Sequence, residues 1–183
     1  MVGQDREKSE REVKGVDPLE FRKVMSRFAT GVTVVTTRTP DGKPHGLTAN
    51  AFMSVSLHPP LVLVSIDKKT DTHGYLDKAR AFCVNILKEG HREISDRFAS
   101  KHPNKFEGVS HSTKHTGAPV LEDALAWIDC RVVDRFEGGD HTLFLGEVVG
   151  LEYRGGRPLL FYGGKYGKLS HENGSESGES GAS

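Results

Sequence analysis

The side chains best placed to do chemistry lie within residues 46–66, where Thr48, Asn50, Ser54 and Ser56 recur at every second or nearby position of a strand-like run. Hydroxyls and amides on one strand face can hydrogen-bond a ligand laid along it. They can equally be ordinary β-surface groups, and Asn50 can serve only to bond a turn. The run breaks at Pro59-Pro60, which cannot donate ladder hydrogen bonds, and resumes as an apolar segment, residues 61–66, interrupted by Ser65. This pattern predicts a strand-to-strand corner beside a ligand. His141 follows a Gly-Gly-Asp turn; histidine as a residue type can change its charge near neutral pH, which gives it a use, or it is an exposed residue at a strand start.

Several chemistries are unsupported. There is no Gly-x-Gly-x-x-Gly after a strand, no phosphate loop ending in Gly-Lys-Ser/Thr and no Gly-x-Ser-x-Gly elbow. His111 and His115 come nearest to metal-ligand spacing, but they sit in an irregular stretch without a nearby Cys or carboxylate pair, so a solvated loop is favoured over a metal site. Cys83 and Cys130 each fall inside an apolar strand-like run, which predicts buried free thiols rather than a disulfide or a nucleophile.

The 183 residues carry 25 basic and 25 acidic side chains, so no overall field draws in nucleic acid or an anionic membrane. No apolar run approaches the roughly 20 residues of a spanning helix. A single domain in the cytoplasm is the expectation, with residues 1–16 as a flexible arm, 17–168 as the folded unit and 169–183 as a disordered Ser/Gly/Glu tail.

The elements that must position these residues can be read from period and punctuation. Asp17-Pro18 starts a helix whose Phe21, Val24, Met25 and Phe28 follow a helical spacing and predict one buried face, with or without a role in covering a ligand or a second subunit. Residues 32–37 read as a strand, turned by Pro40-Asp41-Gly42-Lys43-Pro44 into the stretch that holds Thr48 and Asn50. Thr72 can cap a brief helix around Tyr75 and Leu76. Residues 81–87 form a strand and 91–100 a short amphipathic helix. Residues 101–119 are the longest irregular segment, a length that tends to be functional. Two strands, 126–136 and 142–153, meet at Glu137-Gly138-Gly139-Asp140, and 158–162 closes the pattern. About seven strands with two or three short helices, spaced too closely for helical crossovers, argue for an antiparallel barrel.

Five blocks in order, 31–37, 46–64, 80–87, Lys105-Phe106-x-Gly108 and 139–146, resemble the flavin reductase-like split-barrel family, over roughly residues 17–168. The chain is similar in particular to the small reductase components of two-component flavin monooxygenases. The resemblance implies a mainly β, antiparallel split β-barrel with a few short flanking helices, usually a homodimer. It implies FMN or FAD as flavin, NADH or NADPH as hydride donor, and a separate monooxygenase that receives the reduced flavin. Carried over by position, Thr48, Ala49, Asn50 and Ala51 would lie along the isoalloxazine and ribityl chain, with Ser65, Ile66 and Asp67 beside them. Thr70 and Thr72 match hydroxyls that hold the flavin phosphate, and Lys105 and Phe106 match a loop near the flavin. His141 matches the histidine associated with the nicotinamide, and Tyr166 borders the same pocket. Asp71 departs from a frequent Arg and Asn104 from a common Asp, which leaves Lys68, Lys69 or Lys105 to neutralise the phosphate. Hydride transfer between two cofactors needs no triad or metal, in keeping with their absence from the motifs. Two other readings on this fold are a non-catalytic flavin binder and an oxidase of the pyridoxamine-phosphate type.

Overall fold

The computed structural model describes residues 15–170, so the predicted arm (1–14) and most of the predicted tail (171–183) lie outside the described residues. Its centre is a seven-stranded antiparallel sheet. In chain order these strands are β2 (Thr33–Arg38), β3 (Pro44–Ala49), β4 (Phe52–Leu57), β5 (Pro60–Asp67), β6 (Ala81–Ile86), β9 (Ala126–Gly138) and β10 (His141–Tyr153). The short strands β1 (Thr30–Gly31), β11 (Leu160–Tyr162) and β12 (Lys165–Gly167) form a second sheet, while β7 (His111–Thr113) pairs with β8 (Pro119–Leu121). Three helices flank them: α1 (Pro18–Met25), α2 (Asp71–Ala79) and α3 (Arg92–Ala99).

The sheet order β3-β2-β6-β9-β10-β5-β4 puts β3 and β4 at opposite edges. Only Asn50 and Ala51 separate their ends in the chain. Three Cα–Cα steps of 3.8 Å reach about 11 Å at most. The sheet therefore has to curl until its edges face each other. Among the described residues β3 and β4 share no ladder, so the barrel is split at this seam.

Alternation explains what fills the curl. In β5, Val62, Val64 and Ile66 are buried while Leu61, Leu63 and Ser65 face outward, the period of two expected of a strand with one covered face. With Val35, Phe82, Val84, Cys130 and Phe144 they form the main core, and Leu76 of α2 packs into it. A second core under α3 joins Val32, Val34, Leu87, Phe98 and Leu159. Asn85 is fully buried between the layers; its amide donates to Val34 O at 3.1 Å and Thr36 Oγ1 at 3.2 Å, and its Oδ1 accepts from Leu121 N at 2.8 Å. A polar core residue with both ends satisfied fixes β8 against β6 and β2 in one register.

Both cysteines are buried and free, as the sequence predicted. Burial pushes the Cys83 thiol up and the Cys130 thiol up to about 12, which leaves neither available as a nucleophile at neutral pH.

Three expectations need correcting. Helix α1 is capped by Asp17 as predicted, but none of its residues is buried: Phe21, Val24 and Met25, with Phe28 just beyond its end, are 52–72% exposed, because among the described residues nothing passes over that stripe. Thr70, not Thr72, caps α2, its hydroxyl accepting from His73 N at 3.3 Å. Thr72 lies two residues further on, inside the first turn of the helix, and is buried. The irregular segment 101–119 contains β7 and the first residue of β8.

Gly146 on β10 marks the tightest point of the main core, where a Cβ would stand 2.5 Å from Phe82 Cζ and 2.9 Å from Cys130 Cβ. Gly146→Ala is expected to cost about 1–3 kcal/mol, the usual scale of overpacking, read as a lowered denaturation midpoint. Adding Phe82→Leu should recover part of that loss; an unchanged midpoint in the single variant would show that the wall yields freely.

Candidate active site

The site is built outward from the seam. Ser65 N donates to Ala51 O at 3.0 Å, so the last hydrogen bond on the β4 side of the split is made by two of the residues singled out from sequence. Asn50, at the exposed end of the link, donates from Nδ2 to Thr30 Oγ1 at 3.3 Å. Ile66 sends its side chain into the barrel core, so what it can offer a ligand is main chain.

On the far side of β3, α3 closes against the strand. Gly46 permits this: a Cβ there would lie 3.0 Å from Val35 O and 3.2 Å from Phe98 Cε1. Thr48 Oγ1 donates to Ser95 O at 2.7 Å, and the Tyr166 hydroxyl donates to Ser95 Oγ at 2.9 Å or Asp96 Oδ1 at 2.8 Å. Burial raises the Tyr166 phenol above its ordinary value, with the Asp96 carboxylate adding to the effect. Arg92 lies over the Tyr166 ring, 5.5 Å from its centroid. Thr48 and Tyr166, 118 positions apart in number, thus meet on one helix.

Lys105 joins this side from the loop. Its ammonium donates to Gly46 O at 3.2 Å and Phe98 O at 2.9 Å, and the neighbouring Phe106 ring packs edge-on against Phe98 at 5.0 Å. Burial lowers the Lys105 ammonium below its usual value while Asp71 on α2 opposes that shift. His45 completes the corner. Its Nε2 lies 2.9 Å from Thr72 Oγ1, and its ring meets Tyr75 edge-on at 4.8 Å.

The remaining residues cluster where β5 ends. Asp67 stands opposite His141 across the β5–β10 ladder. Thr70 Oγ1 donates to Asp67 O at 2.8 Å, and Lys69 N donates to Asp67 Oδ1 at 2.8 Å. Lys68 is committed to the hairpin: its ammonium donates to Glu137 Oε2 and Gly139 O, both at 2.6 Å, while its backbone N–H reaches Asp140 O at 3.0 Å. His73 of α2 adds a bond to Thr142, Nε2 to Oγ1 at 2.9 Å. Three elements therefore meet as one block beneath His141. His141 is half-buried and its Nδ1 lies 2.8 Å from Asp140 Oδ1, a hydrogen bond that holds the Asp140 carboxyl below its usual range.

The structure brings Thr48, Tyr166, Lys105 and Phe106 together around α3, gathers Asp67, Thr70 and His141 at the β5 end, and sets Ala49, Asn50, Ala51 and Ser65 along the seam. Thr72 bridges the groups through His45. Sequence reading missed His45, His73 and Ser95. His45 and His73 carry no motif, and Ser95 signals only as a small residue beside Ile94 on the packed face of α3. Among the described residues no cluster of three or more His, Cys, Asp or Glu is arranged to hold a metal ion. His111 and His115 instead serve the loop, His111 Nδ1 lying 2.9 Å from Val109 O and His115 N donating to the buried Asp129 at 2.8 Å.

An antiparallel sheet curled until its edges meet, with polar groups and main chain gathered at the split, defines a split-barrel protein. The chain belongs to the flavin reductase-like domain family, whose model matches residues 25–170. It is 40% identical over 160 residues to the reductase subunit HsaB of a flavin-dependent monooxygenase from Mycobacterium tuberculosis, covering 86% of this chain and 85% of that one. It is 43% identical over 153 residues to the reductase component of a 4-nitrophenol 4-monooxygenase/4-nitrocatechol 2-monooxygenase from Rhodococcus opacus, covering 83% and 81%. Among solved structures, flavin reductase PheA2 superposes with a TM-score of 0.79 at 45% identity over 85% of this chain and all of that one. The NADH:FAD oxidoreductase SgcE6 of Streptomyces globisporus, in complex with NAD and FAD fragments, gives 0.81 at 36% over 88% and 99%.

Burial holds the His45 imidazole below its ordinary 6.5, with the Lys105 ammonium adding to the shift and Asp71 opposing it. The unfolded chain then binds that proton more readily, so stability is lost as pH falls through the window below 6.5. His45→Gln, which keeps a hydrogen bond to Thr72, is expected to flatten the fall in denaturation midpoint between neutral pH and about pH 5. Parallel profiles for the two proteins would count against this role for His45.

Proposed function

We propose that this chain is the reductase component of a two-component system: it reduces FMN or FAD with NADH or NADPH at the β3–β4 seam and hands the reduced flavin to a flavin-dependent monooxygenase. The observation that carries this reading is the seam itself, where β3 and β4 share no ladder among the described residues, lined by Thr48, Ala49, Asn50 and Ala51, in a chain of the flavin reductase-like family. A bound flavin supplies hydride acceptance and gathers negative charge on its pyrimidine edge as it is reduced. The residues present fit such a group. Main-chain N–H groups at the link and beside Ser65 can donate to that edge without any reorganisation at the moment of transfer. The start of α2, which Thr70 caps and Thr72 anchors to His45, offers main-chain donors to a phosphate, and Lys105 offers the positive charge. Lys105 takes precedence over Lys68, whose ammonium already holds the hairpin tip.

His141 has the opposite task, holding the nicotinamide. Its Nδ1 lies within hydrogen-bond distance of the Asp140 carboxylate, which favours a proton on that nitrogen. The Lys68, Asp67 and His73 contacts fix the backbone on which it stands.

We read the active form as a homodimer in the cytoplasm. The support is the apolar stripe of α1 together with exposed Met53, Val55 and Leu57 on β4, a set of large hydrophobics left uncovered among the described residues. Among the described residues no helix is long and apolar enough to cross a membrane.

Flavin-dependent NADH oxidation tests the main reading, and a protein that binds flavin without turnover would overturn it in favour of a non-catalytic binder. His141→Ala is expected to raise KM for the nicotinamide about tenfold, the worth of one good hydrogen bond, while KM for flavin stays nearly constant. An unchanged nicotinamide KM would remove His141 from the site. Val24→Asp combined with Phe28→Asp should shift the mass measured by light scattering from dimer to monomer; a protein already monomeric would leave α1 without this role.

A further inference from the structure

Glu89 belongs to none of the groups around the seam. It follows β6 in the short turn that leads into α3, and its side chain is 16% exposed. Its carboxylate meets two cations from the far end of the fold: Lys168 Nζ lies 2.8 Å from Oε1, and Arg157 Nε lies 2.7 Å from Oε2, close enough to pair though off the line of a hydrogen bond. Its backbone N–H donates to Arg157 O at 2.7 Å. Arg157 and Lys168 flank the segment that contains β11, the Gly163-Gly164 turn and β12, so one acidic side chain holds both ends of that segment. We infer that Glu89 is a positioning residue for flavin binding: by clasping this segment it fixes the Tyr166 side chain at the border of the flavin site, an inference that rests on the flavin reductase reading above.

The segment needs such a hold. Its first half is embedded, since Leu159 is buried in the second core with its N–H on Leu87 O at 3.0 Å and its carbonyl accepting from Val32 N at 3.2 Å. Its return half is not. β12 has three residues and forms the edge of the small sheet, laddered to β11 alone among the described residues. A hairpin of that length is marginal in water on its own. Beyond the ladder, Tyr166 bonds α3, and Lys168, two residues further on, bonds Glu89.

The hold reaches the site through α3. Thr48 and Tyr166 meet at Ser95, the Thr48 hydroxyl on its carbonyl and the phenol on its Oγ, so a ring laid along Thr48 has Tyr166 for a neighbour. The Tyr166 ring is fixed from two sides, by the Arg92 guanidinium 5.5 Å from its centroid and by Phe161, edge-on at 5.6 Å. Glu89 stands three residues before Arg92, the first residue of α3. Clasp and helix are therefore one piece of chain, which sets the approach of Tyr166 to Ser95 from both ends. The hydrogen bond from Lys168, with the Arg157 charge added, holds the Glu89 carboxyl below its ordinary value against the effect of burial. A carboxylate that served only the fold would lower the denaturation midpoint and leave flavin binding alone.

The test compares the wild type with Glu89→Gln, which keeps the shape and removes the charge, and with Lys168→Gln, which breaks the same bond from a side chain 77% exposed, where folding is not at risk. Both variants are expected to behave alike. Amide hydrogen exchange over residues 160–167, measured without flavin, should quicken about tenfold, the scale of one charge-assisted contact, while β5 exchanges as before. KM for riboflavin and for FMN should rise by one common factor, about fivefold, with kcat and KM for NADH moving less than about twofold. On a Tyr166→Ala background, Glu89→Gln should add less than about twofold to either flavin KM, because its effect passes through that side chain. Unchanged exchange over 160–167 would overturn the proposal, as would quickened exchange with both flavin KM values unmoved. A rise for FMN alone would place the effect at the phosphate and overturn it too, and so would the full rise persisting without Tyr166. A wild type that neither binds riboflavin nor oxidises NADH would count against the reductase reading alone, since exchange in the flavin-free protein still reads the clasp: quickening in the variants supports it, and no change overturns it.

Discussion

Two residues decide the shape of this protein. Asn50 and Ala51 carry the chain from one edge of a seven-stranded sheet to the other, and because so short a link cannot cross a flat sheet of that width, the strands have to wrap. Everything else follows from the wrap. The apolar faces of β5, β6, β9 and β10 close around Phe82 and Phe144. Gly146 has to be bare because the barrel is narrowest there. The two edges are left near each other but unpaired, which places main-chain donors and acceptors beside a gap in an otherwise satisfied sheet.

Side chains then divide into those that serve the gap and those that hold its borders. Thr48 and Tyr166 both bond α3, so their hydroxyls fix the helix that backs β3. Lys68, Asp67 and His73 do the same for the block under His141. Of the ionisable groups near the seam, Lys105 and His45 carry the plainest mark of partial burial, each moved toward its neutral form by lost solvation. A chain with no net charge thus keeps its local positive charge where water is partly excluded and a phosphate would be held most firmly.

Much of the fold was legible. A β-branched run marked β2, an apolar run after Pro59-Pro60 marked β5, the Glu137-Gly138-Gly139-Asp140 sequence marked the β9–β10 hairpin, and Asp17-Pro18 marked the start of α1. These signals are local, made by residues within one element. What sequence could not supply was which elements meet. Phe21, Val24, Met25 and Phe28 announce an apolar stripe but not what lies over it. Thr70 and Thr72 are equally good caps until the turn from β5 chooses one. The convergence of Thr48 and Tyr166 on Ser95 depends on α3 settling against Gly46, a packing event with no periodic trace. The resemblance located the candidate residues in the chain, but the partners that hold them, His45, His73 and Ser95, appear only in three dimensions.

The link between β3 and β4 also behaves as a caliper. Its residue count, more than its chemistry, sets how far the two edges can stand apart, so Asn50 and Ala51 can drift in identity over evolutionary time far more freely than the link can change in length. A one-residue insertion would widen the jaw by up to about 3.8 Å, more than a hydrogen bond can bridge. In a lineage of such proteins, variety is then expected at the rims, with the gap itself held to a fixed gauge.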